Sequence, residues 1–138
     1  MRAVWCLLAV SLAVVSGKVL DTLVIVPPER VPGIVQASSK CIEEMNLDKD
    51  TMQKFFSWQL GDSESTRKYM YCLGVKSGYI ADDGSMVKKE VLGLAGSHGG
   101  NIDGVIDECN NLKYSDKYEA VFKIVMCFHE KSKLEFKV

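Results

Sequence analysis

Beyond residue 27, apolar side chains recur three and four positions apart, the spacing of short helices that bury one face. Before that point, Lys18 to Val26 is apolar and β-branched, and Pro27 and Pro28 bar a helix, so an extended arm is expected. Pro28 and Glu29 can open a first helix carrying Val31, Ile34, Val35, Ser38, Cys41 and Ile42, with a kink expected at Pro32 and Gly33. Asp48 is placed to cap a second helix with Met52, Phe55, Phe56 and Gln59 on its face, ending at Gly61. Asp62 or Ser63 caps a third, with Tyr69, Cys72 and Leu73 on one side, running to Gly78.

Ala81 to Ser85 reads as a turn, and Met86 to Ala95 as a fourth helix stopped by Gly96, Gly99 and Gly100. Ile102, Val105, Ile106 and Cys109 mark a fifth helix. Ser115 caps a sixth, with Tyr118, Val121, Phe122, Val125 and Phe128 as its stripe. No strand ladder is expected after the arm. The tail alternates Leu134, Phe136 and Val138 with Glu135 and Lys137, a pattern that suits a flap over a pocket mouth. The fold expected is all-α, a single domain of about six helices around an apolar cavity.

Residues 1–17 have a different character. Arg2 precedes an unbroken apolar run from Ala3 to Val10, and Val15 and Gly17 suit the positions three and one before a cleavage site. This reads as a secretory signal peptide, leaving a mature domain over residues 18–138 and an extracellular location. The run is too short to anchor the chain across a bilayer, and charges interrupt every later apolar stretch. Loss of Arg2 leaves 16 basic against 18 acidic side chains, a net charge of −2 with no basic block, so nucleic acid is not an expected partner.

Secretion changes the meaning of the cysteines. Cys6 leaves with the leader; Cys41, Cys72, Cys109 and Cys127 remain, an even number in an oxidising route, which calls for two disulfides with three pairings open. Gaps of 30, 36 and 17 residues lack the close pairs of a zinc site. A calcium loop around Gly84 and Glu90 fails because Tyr79 and Ala81 fall where oxygen donors are required. With His98 and His129 as the only histidines, and no nucleophile or phosphate motif, no catalytic residue, metal or cofactor is expected.

The cysteine spacing resembles that of the insect odorant-binding (pheromone- and general-odorant-binding) family. Six-cysteine members have three residues between their second and third cysteines, and eight and eight among the last three. With Cys72 in third place, the missing second falls on Lys68; the 17-residue gap from Cys109 to Cys127 puts the missing fifth on Tyr118. Those two pair with each other in the family, so losing both leaves no orphan thiol, the pattern of its four-cysteine "C-minus" branch. The resemblance implies bridges Cys41–Cys72 and Cys109–Cys127. It also implies a carrier that takes a small apolar ligand, an odorant, pheromone or lipid-like molecule, through aqueous lymph to a chemoreceptor or a sink; the oligomeric state is left open, monomer or weak dimer.

The candidate ligand contacts are Phe55, Phe56, Leu73, Leu92, Tyr118, Val121, Phe122, Val125 and Phe128, with Tyr69, Tyr118 and Trp58 as sources of a polar handle. His98, in the glycine-rich connector, is the candidate pH switch for release. The rival reading is a secreted helical protein acting through its surface on a protein partner, which requires a filled core and a large exposed apolar patch.

Overall fold

A computed structural model of the chain describes residues 23–96 and 101–138. The expected leader and its cleavage point, and His98 with its neighbouring glycines, lie outside the described residues. The arm forms β1 (Leu23–Ile25), and six helices follow: α1 (Val31–Met45), α2 (Thr51–Phe56), α3 (Glu64–Ser77), α4 (Lys88–Ala95), α5 (Ile102–Asn110) and α6 (Lys117–Ser132). The chain ends in β2 (Glu135–Lys137). No helix among the described residues is long and apolar enough to cross a membrane.

Several boundaries move for identifiable reasons. Residues 28–30 form a turn in which the Arg30 N–H donates to Pro27 O at 2.9 Å, so α1 begins at Val31. Pro32 then falls in the first turn, where no intrahelical hydrogen bond is lost, and the expected kink has no cause. Asp48 does not cap α2; its carbonyl accepts from the Thr51 hydroxyl at 2.6 Å. That helix is short because the chain turns out of it into Trp58, whose φ of 59° is left-handed. Ser63 rather than Asp62 caps α3, accepting from the Thr66 N–H at 3.1 Å. Asp116 rather than Ser115 caps α6.

The fourth helix starts at Lys88, later than expected. The Met86 backbone is already engaged: its N–H donates to the Asn110 side chain and its carbonyl accepts from it, both at 2.9 Å, and it bridges to Ile80. Gly84, in the intervening turn, has φ +93° and is pressed onto the start of α6. A Cβ there would lie 2.6 Å from Lys117 O, so only glycine fits.

The expectation of no strand after the arm is corrected by the tail. Leu134 turns fully inward, and β2 pairs in parallel with β1, Val24 opposite Phe136. The first and last described elements are thereby joined, with the Val26 N–H donating to Lys137 O at 2.9 Å.

The third helix is central, packing on α1 on one side and α6 on the other, and α5 lies against α6. One buried cluster gathers Ile34, Ala37, Cys41, Tyr69 and Leu73; the other gathers Val91, Ile106, Val121, Ile124 and Phe128. Disulfides Cys41–Cys72 and Cys109–Cys127 fasten α1 to α3 and α5 to α6. On the chain-entropy account, closing loops of these lengths is worth about 3–4 kcal/mol each.

Candidate functional site: an inner cavity and an outer hollow

Between the two clusters lies a cavity of about 130 Å³. α2 contributes Phe55 and Phe56, α3 contributes Leu73, α6 contributes Val125 and Phe128, and Phe136 of β2 closes one side. The walls are almost wholly apolar because each helix turns its buried stripe toward the same space. Phe55 is the hub of an aromatic group, edge-on to Phe56 at 5.1 Å and to Tyr69 at 5.9 Å between ring centroids.

Most polar groups around the cavity already have partners. Ser77 Oγ donates to Leu73 O at 2.6 Å. Tyr69 is fully buried behind the wall, sharing a 2.8 Å hydrogen bond with Ser38, and burial raises its pKa. Tyr79 accepts from Arg30 Nη1 at 3.0 Å, and the same nitrogen reaches Glu90 at 3.2 Å. The arginine lies across Gly93, where a Cβ would collide with its guanidinium.

Trp58 is the exception. Its indole stacks on the His129 ring, 3.7 Å between centroids and 23° between planes. Trp58 Nε1 and His129 Nδ1 are both buried without a hydrogen-bond partner. Each such group costs about 1–3 kcal/mol relative to a satisfied one.

Beside this pair is a second hollow of about 350 Å³ between α3 and α6, with Thr66, Phe122, Met126 and His129 in its walls. Phe55, Trp58 and Met70 line both spaces. At the rim, Arg67 grips Asp62 through two hydrogen bonds of 2.8 and 3.0 Å and lies over the Phe122 ring at 5.0 Å. The guanidinium holds the Asp62 carboxyl below the usual carboxylate range.

Of the residues singled out in the sequence, Phe55, Phe56, Leu73, Val125, Phe128 and Trp58 meet around the inner cavity. Phe122 lines the outer hollow, Val121 is solid core, and Leu92 packs half-buried against the second cluster. Tyr118 sits at the start of α6, against Tyr71 and Lys68. Helical stripes gave no reason to choose Ile80, Met86 or Phe136, which also face the cavity. Two of these flank a turn and the third belongs to the tail, where only alternation was available as a signal.

A helical domain braced by two disulfides around a mostly apolar hollow is a cavity-bearing scaffold, and among the described residues no acid, histidine and cysteine cluster suits a metal. The model of the PBP/GOBP family matches residues 27–131, and the chain belongs to that family. Three solved structures share the fold. A fatty acid binding protein, OBP56a, from the oral disk of the blowfly Phormia regina has TM-score 0.62 at 23% identity, covering 78% of this chain and 94% of that one. Odorant-binding protein dmelOBP28a from Drosophila melanogaster has TM-score 0.61 at 15% identity, over 76% and 93%. Odorant-binding protein lmigOBP1 of Locusta migratoria has TM-score 0.59 at 17%, over 78% and 85%. Among curated protein sequences there is no significant match.

Proposed function

We propose that the protein is a secreted carrier of small hydrophobic molecules, holding one in the inner cavity and delivering it through aqueous lymph to a chemoreceptor or a sink. The single observation that carries this reading is the apolar cavity enclosed by Phe55, Leu73, Val125 and Phe128. Family membership and the fold shared with a blowfly fatty acid binding protein support it. Transfer of apolar ligand surface out of water, at about 25 cal/mol per Å², drives uptake, and the reading is of binding without turnover. The leader expected over residues 1–17 supports secretion, and four cysteines closing two bridges support the C-minus assignment.

Phe136, through its place in β2, acts in this reading as a cavity wall that can leave with the tail. The surface-acting alternative would use the large exposed apolar residues among the described ones, Ile25 and Val138 at one end of the β1–β2 pair, Leu112 and Tyr114 on the loop after α5, and Val35 on α1.

Displacement of a fluorescent apolar probe from the oxidised secreted form by volatile and fatty ligands tests the proposal. Saturable, competable binding near one site per chain is expected. Absence of binding by folded, disulfide-intact protein would overturn the carrier reading.

A further inference from the structure

The inner cavity is the size of a hole that admits one benzene ring, about 150 Å³, and falls short of the roughly 300–1,000 Å³ usual for ligand sites. The outer hollow is separated from it by a wall to which Phe55, Trp58 and Met70 all contribute. Trp58 is the part of that wall least suited to its position. It follows a six-residue helix, holds a left-handed φ of 59° that a bulky residue rarely adopts, and leaves its own Nε1 and the Nδ1 of His129 buried and unpartnered.

We propose that the outer hollow is the second chamber of one binding site and that Trp58 is the partition. Ligands longer than the inner cavity, unbranched chains ending in an oxygen acceptor, move the indole off His129 and run through both chambers. The chain occupies the apolar inner space, and the terminal oxygen takes up the hydrogen-bonding capacity of Trp58 Nε1 and His129 Nδ1. Trp58 Nε1 can only donate, which selects an acceptor such as a hydroxyl, carbonyl or carboxylate oxygen. Among the other polar residues of the outer chamber, Asp62 is held by Arg67, while the Thr66 hydroxyl accepts from Ser63 and keeps its own O–H to donate to the same oxygen.

This inference rests on the carrier reading and is tested separately from it. In the secreted form beginning at Lys18, Trp58 is the only tryptophan, so intrinsic fluorescence reports on the partition alone. Hexanol, decanol and hexadecanol, with the corresponding alkanes, are titrated against the bound apolar probe while Trp58 emission is followed. Hexanol is expected to displace the probe and, in a parallel titration without probe, to shift the emission far less than hexadecanol does, because Trp58 also lines the inner cavity. His129→Phe, which keeps a stacked ring but removes Nδ1, should reduce the preference for hexadecanol over hexadecane by about five- to tenfold and leave hexanol unaffected. Trp58→Ala removes partition and donor together, so it should raise the ratio of hexadecane to hexane affinity, which does not depend on the donor.

Probe displacement by every alcohol with Trp58 emission unmoved would overturn the partition and leave the carrier reading standing. Displacement by none would overturn both. The wild-type emission series decides the matter even if a variant does not fold.

Discussion

The seams on the two sides of α3 are built differently. Toward α1 the contact is covalent and buried: Cys41–Cys72 closes it, and the Ser38–Tyr69 hydrogen bond lies alongside. Toward α6 no disulfide crosses. Arg67 lies over Phe122 at 5.0 Å, Lys68 over Tyr118 at 5.7 Å, and Tyr71 meets Tyr118 edge-on at 5.3 Å with Lys117 above Tyr71 at 4.8 Å. Lys68 and Tyr118, where the cysteine spacing read against six-cysteine members would put a third bridge, meet here through charge and ring. An exposed cation–π contact is worth about 0.5–1 kcal/mol, several times less than a disulfide. The outer hollow opens between α3 and α6, the side held by the weaker ties.

Breaking the covalent seam has the largest expected effect. Cys41→Ser with Cys72→Ser should lower unfolding stability by about 3–4 kcal/mol in urea titration, far more than any single change between α3 and α6. Adding the missing tie is next. Lys68→Cys with Tyr118→Cys should lose its free thiols on oxidation and gain about 2 kcal/mol, with weaker binding of long ligands because the outer chamber is stiffened.

Ser38→Ala should cost about 1–2 kcal/mol by stranding the buried Tyr69 hydroxyl, visible as a lower thermal midpoint. The smallest effect is acid sensitivity at the rim. Arg67 keeps the Asp62 pKa below its unfolded value, so the pair's contribution is complete above the unfolded carboxylate range and fades as pH falls through the lower folded value. Asp62→Asn should remove that small acid-limb loss from a stability–pH profile.

Long periodic segments were readable from residue pattern alone. The stripe through Val121, Val125 and Phe128 does lie on the inner side of α6, and Ile102, Ile106 and Cys109 are the buried side of α5. Caps were harder, because Ser115 and Asp116, or Asp62 and Ser63, offer the same chemistry one residue apart, and tertiary partners choose between them. Arg67 removes Asp62 from capping. Side chains brought to the cavity by non-helical backbone, Ile80, Met86 and Phe136, carry no helical signature, since their placement depends on contacts remote in sequence. The sequence singles out Trp58 as a candidate polar handle; its left-handed backbone and its stack on His129 leave no mark in the residue pattern.

Isothermal titration of decanol into oxidised protein lacking residues 1–17, repeated at several temperatures and on a cavity-filling Val125→Trp variant, asks whether the inner cavity takes up an apolar chain. Saturation near one site per chain is expected, with a negative heat-capacity change, the mark of apolar burial, and that binding is lost in the variant. Folded wild-type protein that gives no saturable heat, or a Val125→Trp variant that binds decanol as the wild type does, would contradict this expectation.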